Sequence, residues 1–83
     1  MNLDIHTARE EVLAKSDADL ELETAIKWAA RSVACFKLFD ETNDYKWLLR
    51  ADSYQQEAIE HAALVRDGGQ SAGEIENAIN EAL

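Results

Sequence analysis

The chain has no proline and only three glycines, which lie late in the sequence at Gly68, Gly69 and Gly73. Proline and glycine are the residues that most strongly interrupt helices, so a chain with so few of them has few natural breakpoints. This shortage predicts an all-α fold with long helices.

Cysteine is also scarce, since Cys35 is the one cysteine of the sequence. It has no second cysteine with which to form a disulfide, and a lone thiol suits a reducing compartment. Residues 1–15 contain no basic region followed by an apolar core, so they do not have the pattern of a secretory signal. The most apolar stretch, residues 28–39, is interrupted by two basic residues and is far shorter than the roughly 20 residues that span a bilayer. The sequence therefore predicts a soluble, cytoplasmic protein with no membrane partner.

Basic residues are few and unevenly placed. Eight lysines and arginines stand against 17 aspartates and glutamates, which gives a net charge of −9. Residues 1–24 have a net charge of −5, residues 25–66 are neutral, and residues 67–83 have −4. Contacts to phosphates need clustered lysine and arginine, so no direct nucleic-acid partner is expected. The acidic ends instead point to a basic protein surface as a possible partner.

The apolar spacing and the capping residues predict one helical domain over residues 1–83. Its centre is a long antiparallel helical hairpin, and two short helices flank it in a small helical bundle. The predicted ranges are 8–15 for the first short helix, 19–40 and 45–66 for the hairpin, and 72–83 for the last helix. A five-residue turn, residues 40–44, makes the two long helices neighbours.

Two capping boxes are expected at the short helices. In such a box, a serine or threonine and a glutamate three residues later satisfy the free N–H groups of the first helical turn. Thr7 with Glu10 fits this pattern before the first helix, and Ser71 with Glu74 fits it before the last.

The second helix has an apolar face wider than one partner helix can cover, which predicts more than one neighbour. Large aromatic residues lie on both long helices. Core packing is the first interpretation of them. A chain this small has a limited core, however, and aromatic residues dominate binding hot spots, so part of this surface is expected to form an interface between copies of the chain. The interface candidates are Trp28, Phe36, Phe39, Trp47 and Tyr54.

Two carboxylate–histidine pairs are candidates for metal binding. His6 with Glu10 and Glu57 with His61 are each four residues apart, so each pair lies on one side of a helix. Glu23 lies opposite His61 if the turn centres near residue 43. However, the Glu-x-x-His pattern of di-iron bundles is missing. A histidine that hydrogen-bonds to a carboxylate is therefore the favoured interpretation, and no metal or other cofactor is predicted.

No catalytic residue stands out. Cys35 lies between Ala34 and Phe36 in an apolar row, whereas a nucleophilic cysteine needs an accessible, electropositive setting. The leading hypothesis is a non-enzymatic interaction or structural protein that works as a homo-oligomer. The first alternative is an acidic inhibitor or adaptor that binds a basic surface of another protein. The second is a metal-binding helical bundle built on the carboxylate–histidine pairs.

Overall fold

A computed structural model of the chain describes residues 3–16, 24–65 and 72–83. These residues form four α-helices and no strand, which confirms the all-α fold. The helices are α1 (Ile5–Ala14), α2 (Ala25–Thr42), α3 (Tyr45–Val65) and α4 (Ala72–Ala82). The two long helices, α2 and α3, form the predicted hairpin, while α1 packs on α2 and α4 packs on both long helices.

Helix α2 is the central element of the bundle. Every residue from 28 to 35 is buried, including those on opposite sides of the helix. A surface helix buries only one stripe, so continuous burial requires neighbours on several sides. The other three helices supply them, and the expectation of more than one neighbour for this helix is confirmed.

Small residues line the contact between α2 and α3. Ala29 on α2 and Ala51, Ala58 and Ala62 on α3 are fully buried. The Ser32 hydroxyl donates a hydrogen bond of 2.8 Å to the backbone carbonyl oxygen of Ala51. A short side chain can reach the backbone of the neighbouring helix only if the two helices approach closely, and the alanines permit that approach.

The turn between α2 and α3 is shorter than predicted. Helix α2 continues to Thr42, so the predicted end at residue 40 is wrong and only two residues connect the helices. Asn43 has a φ of 56°, in the left-handed region that asparagine tolerates better than most residues, and its N–H donates to the Phe39 carbonyl oxygen. Asp44 then accepts a hydrogen bond from the N–H of Lys46 and caps α3.

Helix α1 begins three residues earlier than predicted, at Ile5. Its cap is Asp4, whose carboxylate accepts from the N–H of Thr7 at 3.0 Å and from the Thr7 hydroxyl at 2.7 Å. The predicted capping box of Thr7 with Glu10 is therefore wrong. An aspartate caps a helix at least as well as a threonine, so the chain turns into the helix at the first available cap.

Helix α2, in contrast, begins later than predicted. Thr24 is extended, with φ −75° and ψ 161°, and the helix begins at Ala25 rather than at residue 19. The predicted helical residues 19–23 and residue 66 lie outside the described residues, as does Ser71 of the second capping box. Helix α4 matches its predicted range to within one residue and buries Ile75 and Ile79.

Candidate functional site

The two carboxylate–histidine pairs lie on different helices. His6 Nε2 is 3.6 Å from a carboxylate oxygen of Glu10 on α1, and His61 Nε2 is 3.8 Å from one of Glu57 on α3. Within residues 3–16, 24–65 and 72–83, no three histidine, cysteine or acidic side chains are grouped so that they could hold a metal ion. Glu23, the fifth candidate, lies outside the described residues. The described chain thus brings together pairs of candidate ligands and not a larger set.

His61 has an aromatic neighbour as well as a carboxylate. Its imidazole stacks on the indole of Trp28, with ring centroids 6.2 Å apart and planes at 16°. Trp28 in turn lies 5.4 Å from the ring of Tyr54. The half-buried imidazole therefore packs at the edge of the aromatic part of the core, with Glu57 on its own helix beside it.

The chain itself covers most of the interface candidates. Trp28, Trp47 and Tyr54 are buried between the helices, and Phe36 and Phe39 are partly buried against the same core. The sequence underestimates how much of this surface one chain can bury, because the short α4 and the close α2–α3 contact cover it together. Trp28, Trp47 and Tyr54 therefore belong to the core, whereas Phe36 and Phe39 are partly exposed at its edge.

The basic residues at the start of α3 lie against aromatic rings. The ammonium of Lys46 is 4.9 Å from the centre of the Trp47 ring. The guanidinium of Arg50 is 5.4 Å from the rings of both Trp47 and Tyr54, and it donates a hydrogen bond to the Tyr54 hydroxyl. Such cation–π contacts fix long side chains that would otherwise be mobile. Both basic side chains therefore pack on aromatic rings at the start of α3.

Arg31 is the most unusual residue of the structure, and the sequence does not identify its role. Its side chain is 0% exposed, although charged side chains are almost never fully buried unless they are paired. Its guanidinium donates a hydrogen bond to the carboxylate of Glu11 on α1 and lies 5.4 Å from the ring of Trp28. The sequence feature that could have drawn attention to Arg31 is its position inside the most apolar stretch of the chain. Its partner cannot be found from spacing, because Glu11 lies on another helix.

Two ion pairs of opposite polarity join α1 to α2. In the first, the acid is Glu11 on α1 and the base is Arg31 on α2. In the second, the base is Arg9 on α1 and the acid is Glu41 on α2, at a distance of 2.7 Å. A helix placed on α2 in the reverse direction would bring like charges together. The two pairs therefore specify the direction in which α1 lies.

A groove of about 310 Å³ separates part of α1 from α2. We call it the α1 groove. Its lining includes the cap residue Asp4, Thr7 and Glu11 of α1, and Ile26, Lys27 and Ala30 of α2. Its volume lies at the lower end of the range of small-molecule sites, about 300–1,000 Å³. The groove combines apolar walls with charges of both signs.

Hydrogen bonds lower the pKa of two carboxylates that hold α1 in place. The backbone N–H of Thr7, followed by its hydroxyl, lowers the pKa of Asp4 below its usual 3.8. The hydrogen bond from Arg9 lowers the pKa of Glu41 below its usual 4.5, and the positive charges of Arg9 and Lys37 act in the same direction. Both carboxylates are therefore stabilised in their charged form by the folded chain.

These shifts predict that acid loosens α1 before it unfolds the hairpin. A carboxylate whose pKa is lowered on folding stabilises the fold above its unfolded pKa, and this stabilisation is lost as the pH falls through the folded value. We expect the amide protons of α1 to lose protection from exchange below about pH 4, while those of α2 stay protected. Asp4→Asn retains a capping oxygen but cannot ionise, so in this variant the protection of the α1 amide protons should depend less on pH. Simultaneous loss of protection in both helices would contradict the prediction.

Comparison of the chain with protein-family models, with curated proteins and with solved structures gives no match. Among the described helices, none combines the length and the apolar character needed to cross a lipid bilayer. The function proposed below therefore depends on the surface and charges of the chain itself.

Proposed function

We propose that the protein is a non-enzymatic interaction domain that forms a homo-oligomer through an exposed apolar patch on α3. Tyr45 and Leu49, which we call the α3 patch, are four residues apart and so lie on the same side of the helix. Their exposed fractions are 62% and 59%. This pair of large, exposed side chains is the observation that carries the proposal.

The surroundings of the α3 patch favour binding. Trp47 lies buried between the two patch residues in sequence, and Lys46 and Arg50 pack on its ring, so the helix that carries the patch is anchored to the core. Tyrosine is also among the residues that contribute most to protein interfaces. A second copy of the chain offers the same apolar surface, and symmetric pairing of like surfaces is the commonest form of oligomer.

The test is the molar mass in solution, measured by light scattering over a dilution series. Two side chains per copy make a small interface, so we expect weak association, with a dissociation constant on the order of 0.1–1 mM. Leu49→Glu should remain monomeric throughout. Asn80→Asp, at an exposed position on α4, introduces the same charge on another helix and should behave as the unmodified chain does. A chain that stays monomeric at about 1 mM would contradict the proposal.

A second proposal is that the protein acts as an acidic inhibitor or adaptor that binds a basic surface of another protein. Helix α4 favours it, because Glu74, Glu76 and Glu81 are exposed and residues 72–83 contain no base. Binding of this kind weakens steeply with salt, whereas association through the α3 patch does not. Binding of a polylysine probe that is unchanged between about 50 and 300 mM salt would contradict this second proposal.

We propose the cytoplasm as the place where the protein works. The one cysteine of the sequence, Cys35, is fully buried against the main core, and a buried thiol without a disulfide suits a reducing compartment. The metal-binding alternative has less support, because the two carboxylate–histidine pairs among the described residues lie on separate helices.

A further inference from the structure

A carboxylate lies beside the α3 patch, one helical turn beyond it. Asp52 follows Tyr45 and Leu49 at spacings that keep all three residues on one side of α3, and it is exposed as they are. Among the described residues, neither the Asp52 carboxylate nor the Tyr45 hydroxyl has a hydrogen-bond or ion-pair partner. This side of α3 therefore presents a hydroxyl donor, an apolar side chain and a charged acceptor in that order.

Tyr45 and Asp52 also lie on the same flank of Leu49. At 3.6 residues per turn, they are rotated from it around the helix axis by about 40° and about 60° in the same sense. When two identical helices pair in antiparallel fashion about a two-fold axis, each flank of one helix meets the same flank of the other. The donor of one copy and the acceptor of the other consequently come to the same side of such a pair.

The positions of the three side chains along the helix set the register. A two-fold axis midway between Tyr45 and Leu49 places Tyr45 of each copy level with Leu49 of the partner subunit. A helical side chain leans toward the N-terminus of its own helix, so the Tyr45 hydroxyl points away from the axis. Asp52 of the partner subunit lies in that direction, about 4.5 Å along the helix beyond its Leu49. The tyrosine ring can then pack on a leucine while its hydroxyl reaches a carboxylate.

We propose that the homo-oligomer is a two-fold dimer of antiparallel α3 helices, in which the Tyr45 hydroxyl donates a hydrogen bond to Asp52 of the partner subunit; this rests on the self-association proposed above for the α3 patch. The symmetry makes the bond twice, and a hydrogen bond to an ionised acceptor is stronger than one between neutral groups. A parallel pair would leave each Tyr45 about 10 Å along the helix from either Asp52.

The surroundings favour this pairing. Asp52 of the partner subunit lies beside the N-terminus of α3, where the helix dipole stabilises a negative charge. Lys46 lies on the other flank of Leu49, and its ammonium packs on the Trp47 ring of its own chain and is 3.6 Å from the Asp44 carboxylate. The two lysines of a dimer are thus each held and partly balanced by their own chains.

The hydrogen bond is tested by light scattering over a dilution series that reaches about 3 mM. Tyr45→Phe keeps the ring but removes the hydroxyl, and Asp52→Ala removes the acceptor. We expect each change to raise the dissociation constant at least about fivefold, because two symmetric bonds are lost. The variant with both changes should associate no more weakly than either single variant, since each already breaks the same bond.

Glu60→Ala is the matched control. It also removes an exposed carboxylate from α3, but at a position beyond the contact between the helices, and it should change the dissociation constant by no more than about twofold. Equal weakening by Glu60→Ala and Asp52→Ala, or effects of Tyr45→Phe and Asp52→Ala that multiply in the double variant, would overturn the proposed bond.

The orientation is tested separately by paramagnetic broadening of amide signals. A spin label is attached to a Ser53→Cys chain, at an exposed position of α3, and this chain is mixed with isotope-labelled unmodified chain. Cys35 is buried and stays unlabelled. An antiparallel pair brings the label to the turn between α2 and α3, so the amides of residues 41–45 should broaden. Broadening centred on residue 53 would show a parallel pair and overturn this inference while leaving self-association intact. A chain that stays monomeric would overturn both.

Discussion

Replacing Glu11 by alanine should lower the free energy of unfolding by about 3 kcal/mol, because it removes the carboxylate that pairs with a fully buried guanidinium. The side chain of Arg31 is 0% exposed, and that of Glu11 is 22% exposed, so water can replace the lost carboxylate only in part. A domain of this size has a total stability of roughly 4–12 kcal/mol. Urea denaturation followed by circular dichroism should show that the midpoint urea concentration of Glu11→Ala is much lower than that of the unmodified chain.

Two variants control for other causes. Glu10→Ala removes the adjacent exposed carboxylate and should change stability by no more than about 0.5 kcal/mol. The double variant Glu11→Leu with Arg31→Met replaces both charges of this pair by apolar side chains, and it should recover most of the loss. A double variant that is less stable than Glu11→Ala would contradict this prediction. It would show that the charged pair stabilises the fold more than the two apolar side chains do.

Local signals explain why the helices could be predicted from the sequence. Apolar spacing and the absence of proline depend only on neighbouring residues, and they place α3 and α4 to within one residue over the described chain. The i,i+4 spacing also brings each histidine beside its glutamate. The errors at helix ends are local too, because several nearby side chains compete to cap an end. Asp4 competes with Thr7 for the start of α1, and Asn43 extends α2 beyond residue 40.

The tertiary contacts could not be predicted in this way. Glu11 and Arg31 are 20 residues apart in sequence, and Arg9 and Glu41 are 32 apart. Their pairing depends on the position at which α1 packs on α2. Neither the apolar spacing within a helix nor its capping residues specify that position. For the same reason, the sequence does not show that the helices of one chain are sufficient to bury Trp28, Trp47 and Tyr54. The surface proposed for self-association accordingly lies at Tyr45 and Leu49, which are exposed.

Trp28 joins these separate parts of the structure. Its ring is close to Tyr54 and His61 on α3, and it lies under the guanidinium of Arg31. Val12 of α1 belongs to the same buried cluster. One side chain thus connects the hairpin contact with the site where α1 docks, so its loss should affect both.

Trp28→Ala should destabilise the fold by about 4 kcal/mol, since it removes a large buried ring and leaves a cavity between α2 and α3. Trp28→Phe should reduce stability by only about 1 kcal/mol, because the indole N–H of Trp28 has no hydrogen-bond partner among the described residues and phenylalanine retains most of the ring contacts. In Trp28→Phe the emission comes from Trp47 alone, so urea unfolding can be followed at the start of α3 and compared with circular dichroism. Equal losses of stability in the two variants would mean that the indole N–H, rather than the volume of the ring, makes the important contact.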